Sequence, residues 1–143
     1  MMPIEIKRAY EPPSLSDGER VLVDRLWPRG LKKAGARIDV WLKDLAPSHE
    51  LRRWFHDRPK YFAVFRKRYL NEIAGPAASQ ALEQLYEIAR NNQTVTLVYA
   101  AKDEAHNNAV VLRDLLQGMR KPPSSSGPGR VAAARARARM PRG

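Results

Sequence analysis

The chain has 143 residues and contains no cysteine. This absence excludes disulfides, thiolate zinc sites, iron–sulfur ligation and a cysteine nucleophile. No apolar run is long enough to cross a bilayer, and the first residues, MMPIEIKRAYEPP, lack the apolar core of a secretory signal. We therefore expect a cytoplasmic protein with no membrane partner, long enough to bury a core without cross-links.

Motifs for common cofactors are also missing. The sequence has no Walker motif and no G-x-G-x-x-G, and its three histidines, His49, His56 and His106, lack the spacing of metal ligands. His106 is a candidate general base, but nothing in the sequence places a serine nucleophile beside it. The sequence predicts no metal site and no cofactor.

Positive charge is in excess but unevenly distributed. The chain carries +11, of which residues 120–143 supply +7 without a single acidic residue, so residues 1–119 carry only +4. Residues 120–143 are rich in Pro, Ser and Gly and then alternate Ala with Arg, which predicts a disordered basic tail. This tail is either an arm that binds nucleic acid or an unselected extension, and its composition does not separate the two.

Residues 1–119 have the pattern of a single small α/β domain. IEIK (4–7), RVLVDRL (20–26) and TVTLVYA (94–100) predict strands, and the last two have the consecutive apolar residues of strands covered on both faces. Helical spacing dominates the sequence between the second and third strands and resumes after the third. The first helix is a short one at Trp41, Leu42 and Leu45. Ser48 is the expected N-cap of the next helix, one face of 60–73 is expected to be buried through Phe62, Phe65, Tyr69 and Ile73, and Pro76 is expected to begin the helix after that. We expect a mainly parallel sheet of about three strands, flanked by helices.

Sheets of this kind place ligands outside the carboxyl ends of their strands, which selects the segments DRLWPRG and AAKDEAHNN. In the first segment, Arg25 and Arg29 offer planar donors for phosphate or carboxylate, and Trp27 offers a stacking face. These residues predict an anion pocket. The alternative is a structural arrangement in which Asp24 pairs with Arg25 and Trp27 belongs to the core.

In the second segment, Asp103 occupies the expected N-cap position of a helix, with Glu104 in its first turn. Lys102 ends a predicted buried strand, so its ammonium is expected to meet a carboxylate, a carbonyl or a ligand, and Asp24 and Asp103 are the natural partners. A lysine between carboxylates is a candidate proton carrier. It is equally well explained as an internal ion pair.

A third candidate is the basic helical region 52–68. Its arginines and lysines alternate with aromatic residues, as in some nucleic-acid-binding helices. The aromatic residues follow the spacing of a buried face, however, and the basic residues take the outward positions. A solvated helix face is therefore the favoured interpretation.

Four ordered blocks, RVLVDRLWPRG, WLKDLAPSHELRRWF, FRKRYLNEI and TLVYAAKDEAHNNAVVL, resemble the YeaO-like bacterial family (domain of unknown function 488) over about residues 3–117. The resemblance implies a small α/β domain but no activity. The positions that it assigns to the family pattern are Asp24, Arg25, Trp27, Pro28, Arg29, Gly30, Trp41, Lys43, Pro47, Lys102, Asp103 and Asn107. The chain departs from the pattern at WFHDRP, where His56 comes one place early and Asp57 stands where the family has His.

The leading hypothesis is a cleft at the strand carboxyl ends that binds an anionic small molecule, either a nucleotide or a phosphorylated metabolite. Its candidate ligand-binding residues are Arg25, Trp27, Arg29, Lys43, Lys102 and Asn107. In an enzymatic version of this hypothesis, Lys102 or Asp24 transfers a proton. The alternative is a nucleic-acid-associated protein that uses region 52–68 and the basic tail.

Overall fold

Four parallel strands form the centre of the domain. The computed structural model describes residues 3–119. Strands β1 (Ile4–Arg8), β2 (Glu19–Leu22), β3 (Val40–Trp41) and β4 (Val95–Tyr99) lie in the order β1-β4-β2-β3, and each neighbouring pair is parallel. The predicted small parallel sheet is confirmed, with one strand more than expected. The predicted disordered tail at 120–143 lies outside the described residues.

The additional strand, β3, replaces the start of the predicted short helix. Trp41 pairs in register with Leu22 of β2, and only Lys43–Leu45 form a helical turn, of the 3₁₀ type. Leu42 packs into the main core, whereas Trp41 packs on the opposite face of the sheet. Adjacent side chains on opposite faces are the signature of a strand, but two residues are too few to reveal that period in the sequence.

In the described range 3–119, five α-helices accompany the sheet: α1 (Lys33–Ala36), α2 (His49–Asp57), α3 (Phe62–Ile73), α4 (Pro76–Asn91) and α5 (Asn108–Gln117). Ser48 caps α2 by accepting a hydrogen bond from Leu51 N at 3.1 Å, and Pro76 is the first residue of α4, as the sequence predicts. The predicted N-cap at Asp103 is wrong. Asn107 caps α5 instead, while Asp103 closes a tight turn by accepting from Ala105 N and His106 N.

The two faces of the sheet are covered in different ways. On one face, Val21, Val23 and Leu97 pack with α3, α4 and α5, whose inward stripes follow the predicted helical spacing. On the other face, a smaller cluster contains Leu22 and Val98. Its cover comes from Trp27, Leu31, Ile38 and Trp41. The segment 24–39, which follows β2, thus lies over the sheet as part of its core.

Arg20 holds the far end of this segment. Its side chain is completely buried, and its guanidinium donates to Asp17 Oδ2 at 2.7 Å and to the carbonyls of Ala36 and Arg37 at 3.0–3.2 Å. Arg37 has a left-handed backbone, with φ of 50°. Asp17 also binds Lys7 Nζ at 3.0 Å, so one carboxylate serves both cations, and each nitrogen of the buried guanidinium donates at least one hydrogen bond.

The pKa of Asp17 is lowered despite burial. Burial alone would raise it, but hydrogen bonds from Ser14 N, Lys7 and Arg20, together with the charge of Lys7, outweigh that effect. The carboxylate form is therefore the one that the folded protein stabilises.

We predict that Arg20→Met, which keeps the apolar stem, lowers the free energy of unfolding by about 3–5 kcal/mol, because it removes the ion pair to Asp17 and leaves the carbonyls of Ala36 and Arg37 without their donor. Urea denaturation followed by circular dichroism measures this change. The matched control is Arg90→Met, which removes an exposed ion pair to Glu87 and should cost less than about 1 kcal/mol. Equal denaturation midpoints for the two variants would contradict the assignment.

The stabilisation from Asp17 should depend on pH in a defined direction. Because its folded pKa lies below the unfolded value of about 3.9, the stabilisation is complete above that value and declines as pH falls towards the folded pKa. The gap in unfolding free energy between wild type and Asp17→Asn should therefore stay constant above about pH 5 and narrow below about pH 4. A gap that widens in acid would refute this.

Candidate functional site

The carboxyl end of β2 is joined to β4 and α5 through the side chain of Asp24. Its Oδ2 accepts from Ala100 N at 2.9 Å, and its Oδ1 accepts from Asn108 Nδ2 at 3.1 Å. The same Asn108 amide also donates to Val23 O at 3.0 Å. The predicted pairing of Asp24 with Lys102 or Arg25 is absent from the described residues, because backbone and amide donors occupy both oxygens. The ends of β2 and β4 do meet, as the sequence predicts.

Burial raises the pKa of Asp24 above its ordinary value. The hydrogen bonds from Ala100 N and Asn108, and the positive charge of Arg52, offset this effect only in part. Asp24 is thus a carboxyl group whose role in the fold is to bind N–H donors, and its charge is only weakly compensated. Sequence reasoning missed Asn108 as its partner, since a second Asn beside a helix cap has no distinctive pattern.

Arg25 is fixed at the same edge without a carboxylate partner in residues 3–119. It is exposed, and its Nη2 donates to Ala46 O at 3.1 Å while Nε lies 3.5 Å from Pro47 O. These carbonyls belong to a loop that Glu72 stabilises through Ser48 N at 2.8 Å and Ser48 Oγ at 2.6 Å. The guanidinium of Arg25 is therefore oriented by two backbone carbonyls, and no carboxylate in residues 3–119 neutralises its charge.

The two tryptophans of the edge contact each other. Trp27 and Trp41 meet edge to face, with ring centroids 5.6 Å apart, and both are half-buried. Trp27 Nε1 donates to Leu31 O at 2.6 Å, and Trp41 Nε1 donates to Asp24 O at 2.7 Å. Lys43 Nζ lies 4.2 Å from the centre of the Trp41 ring. The pair links segment 24–39 to the end of β3 and holds the charge of Lys43 there.

Arg29 projects from a tight turn. Leu31 N donates to Pro28 O at 3.2 Å, and Gly30 has φ of 79°, which is the geometry of a type II turn and requires glycine at that position. Tyr10 OH donates to Arg29 O at 2.8 Å, so the turn is attached to the end of β1. The Arg29 side chain is exposed and makes no ion pair within residues 3–119. The turn at 28–31 therefore fixes the backbone of Arg29, while its guanidinium extends into solvent.

Of the two candidate ligand-binding residues that follow β4, Lys102 is exposed and Asn107 is buried. Lys102 was expected to be buried, but it is exposed and makes no ion pair in the described part of the chain, because β4 ends at Tyr99 and the chain turns outward. Asn107 is 2% exposed, and its amide is used within the fold: Oδ1 accepts from Val110 N at 3.0 Å and Nδ2 donates to Asp103 O at 2.8 Å. The role of Asn107 is that of a helix cap.

His106 pairs with Asp103 on the surface. His106 Nδ1 lies 3.1 Å from Asp103 Oδ2, and hydrogen bonds from Ala105 N and His106 lower the pKa of Asp103. Within residues 3–119, no cluster of three or more His, Asp or Glu side chains is arranged to hold a metal ion. The same part of the chain has no helix long and apolar enough to span a bilayer.

Together these features define a parallel α/β domain whose carboxyl edge carries exposed cations on a rigid frame. The chain belongs to the YeaO-like DUF488 family: residues 3–127 match the family described as the inactive DUF488-N3 subclade. It is 46% identical over 118 residues to uncharacterized protein YeaO of Escherichia coli (strain K12), covering 82% of this chain and 100% of that protein. It is 42% identical over 115 residues to uncharacterized protein Rv3073c of Mycobacterium tuberculosis (strain ATCC 25618 / H37Rv), covering 80% and 94%. No solved structure matches the chain significantly.

We predict that Asp24 titrates above about 3.9 and that Asn108→Ala raises its pKa further, because the variant removes a hydrogen bond to the carboxylate. Carbon-13 NMR of the side-chain carboxyl groups measures both shifts. Asp103, whose pKa is lowered, provides an internal control and should not respond to the substitution. If Asp24 titrates below Asp103, the geometry described for Asp24 is wrong.

Because the folded pKa of Asp24 is raised, wild type should gain stability relative to Asp24→Asn as pH falls through that pKa. Urea denaturation at several pH values measures the gain, and its sign is opposite to that expected for Asp17.

Proposed function

We propose that the chain binds an anionic small molecule, a nucleotide or a phosphorylated metabolite, at the carboxyl edge of its sheet. The observation that carries this proposal is that four exposed cations at or near this edge, Arg25, Arg29, Lys43 and Lys102, make no ion pair within residues 3–119. Parallel α/β sheets bind ligands at this edge. Uncompensated cations there favour an anion.

Arg25 is the best-prepared of these groups. Its Nη2 is held by a backbone carbonyl, which orients the guanidinium plane and leaves Nη1 without a bond in the described residues. A guanidinium that is already oriented loses little conformational freedom when a phosphate oxygen binds to it. Arg52, whose charge reaches Asp24, adds positive potential on the same side. Arg25 is therefore the residue on which the proposed affinity depends most.

The two tryptophans and Lys43 have a supporting role in this proposal. The Trp27–Trp41 contact fixes segment 24–39 on the sheet, and the ring of Trp41 carries the ammonium of Lys43. Leu26, between Arg25 and Trp27, is 65% exposed and offers apolar surface beside the cations. A ligand with an anionic group and an apolar or aromatic part fits this combination better than a bare anion.

The residues favour a protein that binds the anion over an enzyme in which Lys102 or Asp24 transfers a proton. Both Asp24 oxygens accept hydrogen bonds that hold the fold together, and Lys102 is exposed and apart from any carboxylate partner in residues 3–119. Structural roles therefore account for Asp24, and nothing in the surroundings of Lys102 poises it for proton transfer. The description of the matching family as an inactive subclade agrees with this choice. We place the protein in the cytoplasm as part of the proposal, since phosphorylated metabolites are found there.

The proposal predicts that full-length protein binds inorganic pyrophosphate, used as a minimal probe, with an affinity that falls as salt rises. Arg25→Gln and Arg29→Gln should each weaken binding about tenfold, since a charge-assisted hydrogen bond contributes about 1.5–3 kcal/mol. Arg25→Lys keeps the charge but loses the planar donors and should fall between wild type and Arg25→Gln. Isothermal titration calorimetry measures these affinities.

Arg90→Gln is the matched control, because it removes one exposed positive charge from α4 without touching the edge. If Arg90→Gln weakens pyrophosphate binding as much as Arg25→Gln does, binding reflects net charge and the proposed site is absent. Native mass spectrometry of the purified protein then tests ligand identity. A co-purifying anion that Arg25→Gln loses supports the proposal.

A further inference from the structure

A second basic surface lies where α2 meets α3, far along the chain from segment 24–39. We call it the α2–α3 corner: Trp54 of α2 and its C-cap Arg58, Tyr61 as the N-cap of α3, and Val64 and Arg68 within α3. Tyr61, the N-cap of α3, is 57% exposed and Val64, in the first turn of that helix, is 38% exposed, so two apolar side chains three residues apart face solvent. Isolated exposed apolar residues are ordinary, but a contiguous group rimmed by charge indicates an interaction surface.

Two arginines meet the same tryptophan at this corner. The guanidinium carbons of Arg58 and Arg68 lie 5.3 Å and 4.4 Å from the centroid of the Trp54 ring, and the Tyr61 ring lies 6.4 Å from it. A guanidinium packed over a ring still presents its N–H donors at its edges. Arg68 has no carboxylate partner within residues 3–119, and Arg58 donates only to Trp54 O, at 3.4 Å. Both charges are thus localised next to the exposed tyrosine.

We propose that the α2–α3 corner binds single-stranded nucleic acid, with a base stacked on Tyr61 and phosphates held by Arg58 and Arg68. This surface is independent of the proposed anion site at the sheet edge. Stacking on aromatic rings combined with a basic track is the usual means of binding single strands without sequence readout.

Charge and shape favour this occupant. Apart from Arg66, residues 54–68 contain four arginines or lysines and one acidic residue, Asp57, so the surface is complementary to a polyanion. The exposed ring of Tyr61 offers a flat face for an unstacked base, which a duplex would not present. An acidic peptide would use the arginines but would leave the tyrosine face without a partner. Arg66, on the same helix, faces Asp114 at 3.5 Å and is not part of the corner.

Fluorescence anisotropy with a labelled oligouridylate of about 12 nucleotides and the full chain tests the stacking part, at low ionic strength. Tyr61→Ala should weaken binding about tenfold, and Tyr61→Phe should restore it to within about twofold, since the ring and not the hydroxyl stacks. Leu15→Ala, which removes a 93% exposed apolar side chain outside both proposed sites, is the control and should leave affinity unchanged. Circular dichroism confirms that each variant is folded.

The arginines are tested by the salt dependence of binding. Arg58→Gln combined with Arg68→Gln should reduce the slope of log affinity against log salt by about 1.4, because two phosphate contacts on a single strand are lost. Arg90→Gln combined with Arg113→Gln removes the same charge from exposed or half-exposed positions on α4 and α5 and should change the slope much less. Residues 120–143 are present in every protein, so their contribution cancels in the comparison.

Three results would overturn the proposal. The two double variants could lose affinity equally, which would mean that only net charge matters. Tyr61→Ala could bind as wild type does, which would remove the stacking platform. Polyglutamate could compete for the corner as well as the oligouridylate does and with the same dependence on Tyr61, which would assign the corner to an acidic protein partner.

Discussion

The fold depends on one buried cation. The guanidinium of Arg20 is enclosed on the loop-covered face of the sheet, where it binds Asp17 and the carbonyls of Ala36 and Arg37. An apolar side chain at this position would fill the space but would leave those acceptors without donors, and irregular backbone on a buried face has few other ways to satisfy them. The left-handed conformation of Arg37 is stabilised by the same contact, because it directs a carbonyl towards the guanidinium.

Segment 24–39 is consequently attached to the sheet at three places. Arg20 holds its end at residues 36–37, Asp24 ties its beginning to β4 and α5, and the Trp27–Trp41 contact anchors its middle. Among the exposed cations, Arg25 is already oriented by the carbonyls of Ala46 and Pro47, so an anion that binds to it requires little reorganisation. The contacts of Arg20, Asp24 and Trp27 therefore position the residues of the proposed anion site at the carboxyl edge.

The regular parts of the fold could be predicted from the sequence because they follow simple periods. The apolar runs of β2 and β4, the helical stripe through Phe65, Tyr69 and Ile73, and the Ser48 cap are all where the patterns place them.

The hydrogen-bond partners of the polar side chains could not be predicted from the sequence. Arg20 reads as the polar first residue of a strand, and nothing marks it as buried. The expected burial of Lys102 was wrong because residues 101–106 are exposed: the end of β4 lies within one residue of the predicted end at 100, but the sequence does not show that the chain leaves the core there. The sequence did predict that Asp24 and the residues after β4 lie at the carboxyl ends of neighbouring strands. It did not predict that Asn108 binds Asp24, because that contact depends on how α5 packs.

A nitrogen-15 NMR titration of the full chain with pyrophosphate tests most directly whether the carboxyl edge of the sheet is an anion-binding site. If the carboxyl edge is one preformed site, the side-chain and backbone resonances of Arg25, Arg29, Lys43 and Lys102 should shift together and give a single dissociation constant, while those of Arg90 stay in place. Small shifts spread over all exposed arginines without saturation, or shifts confined to residues outside the edge, would contradict the account.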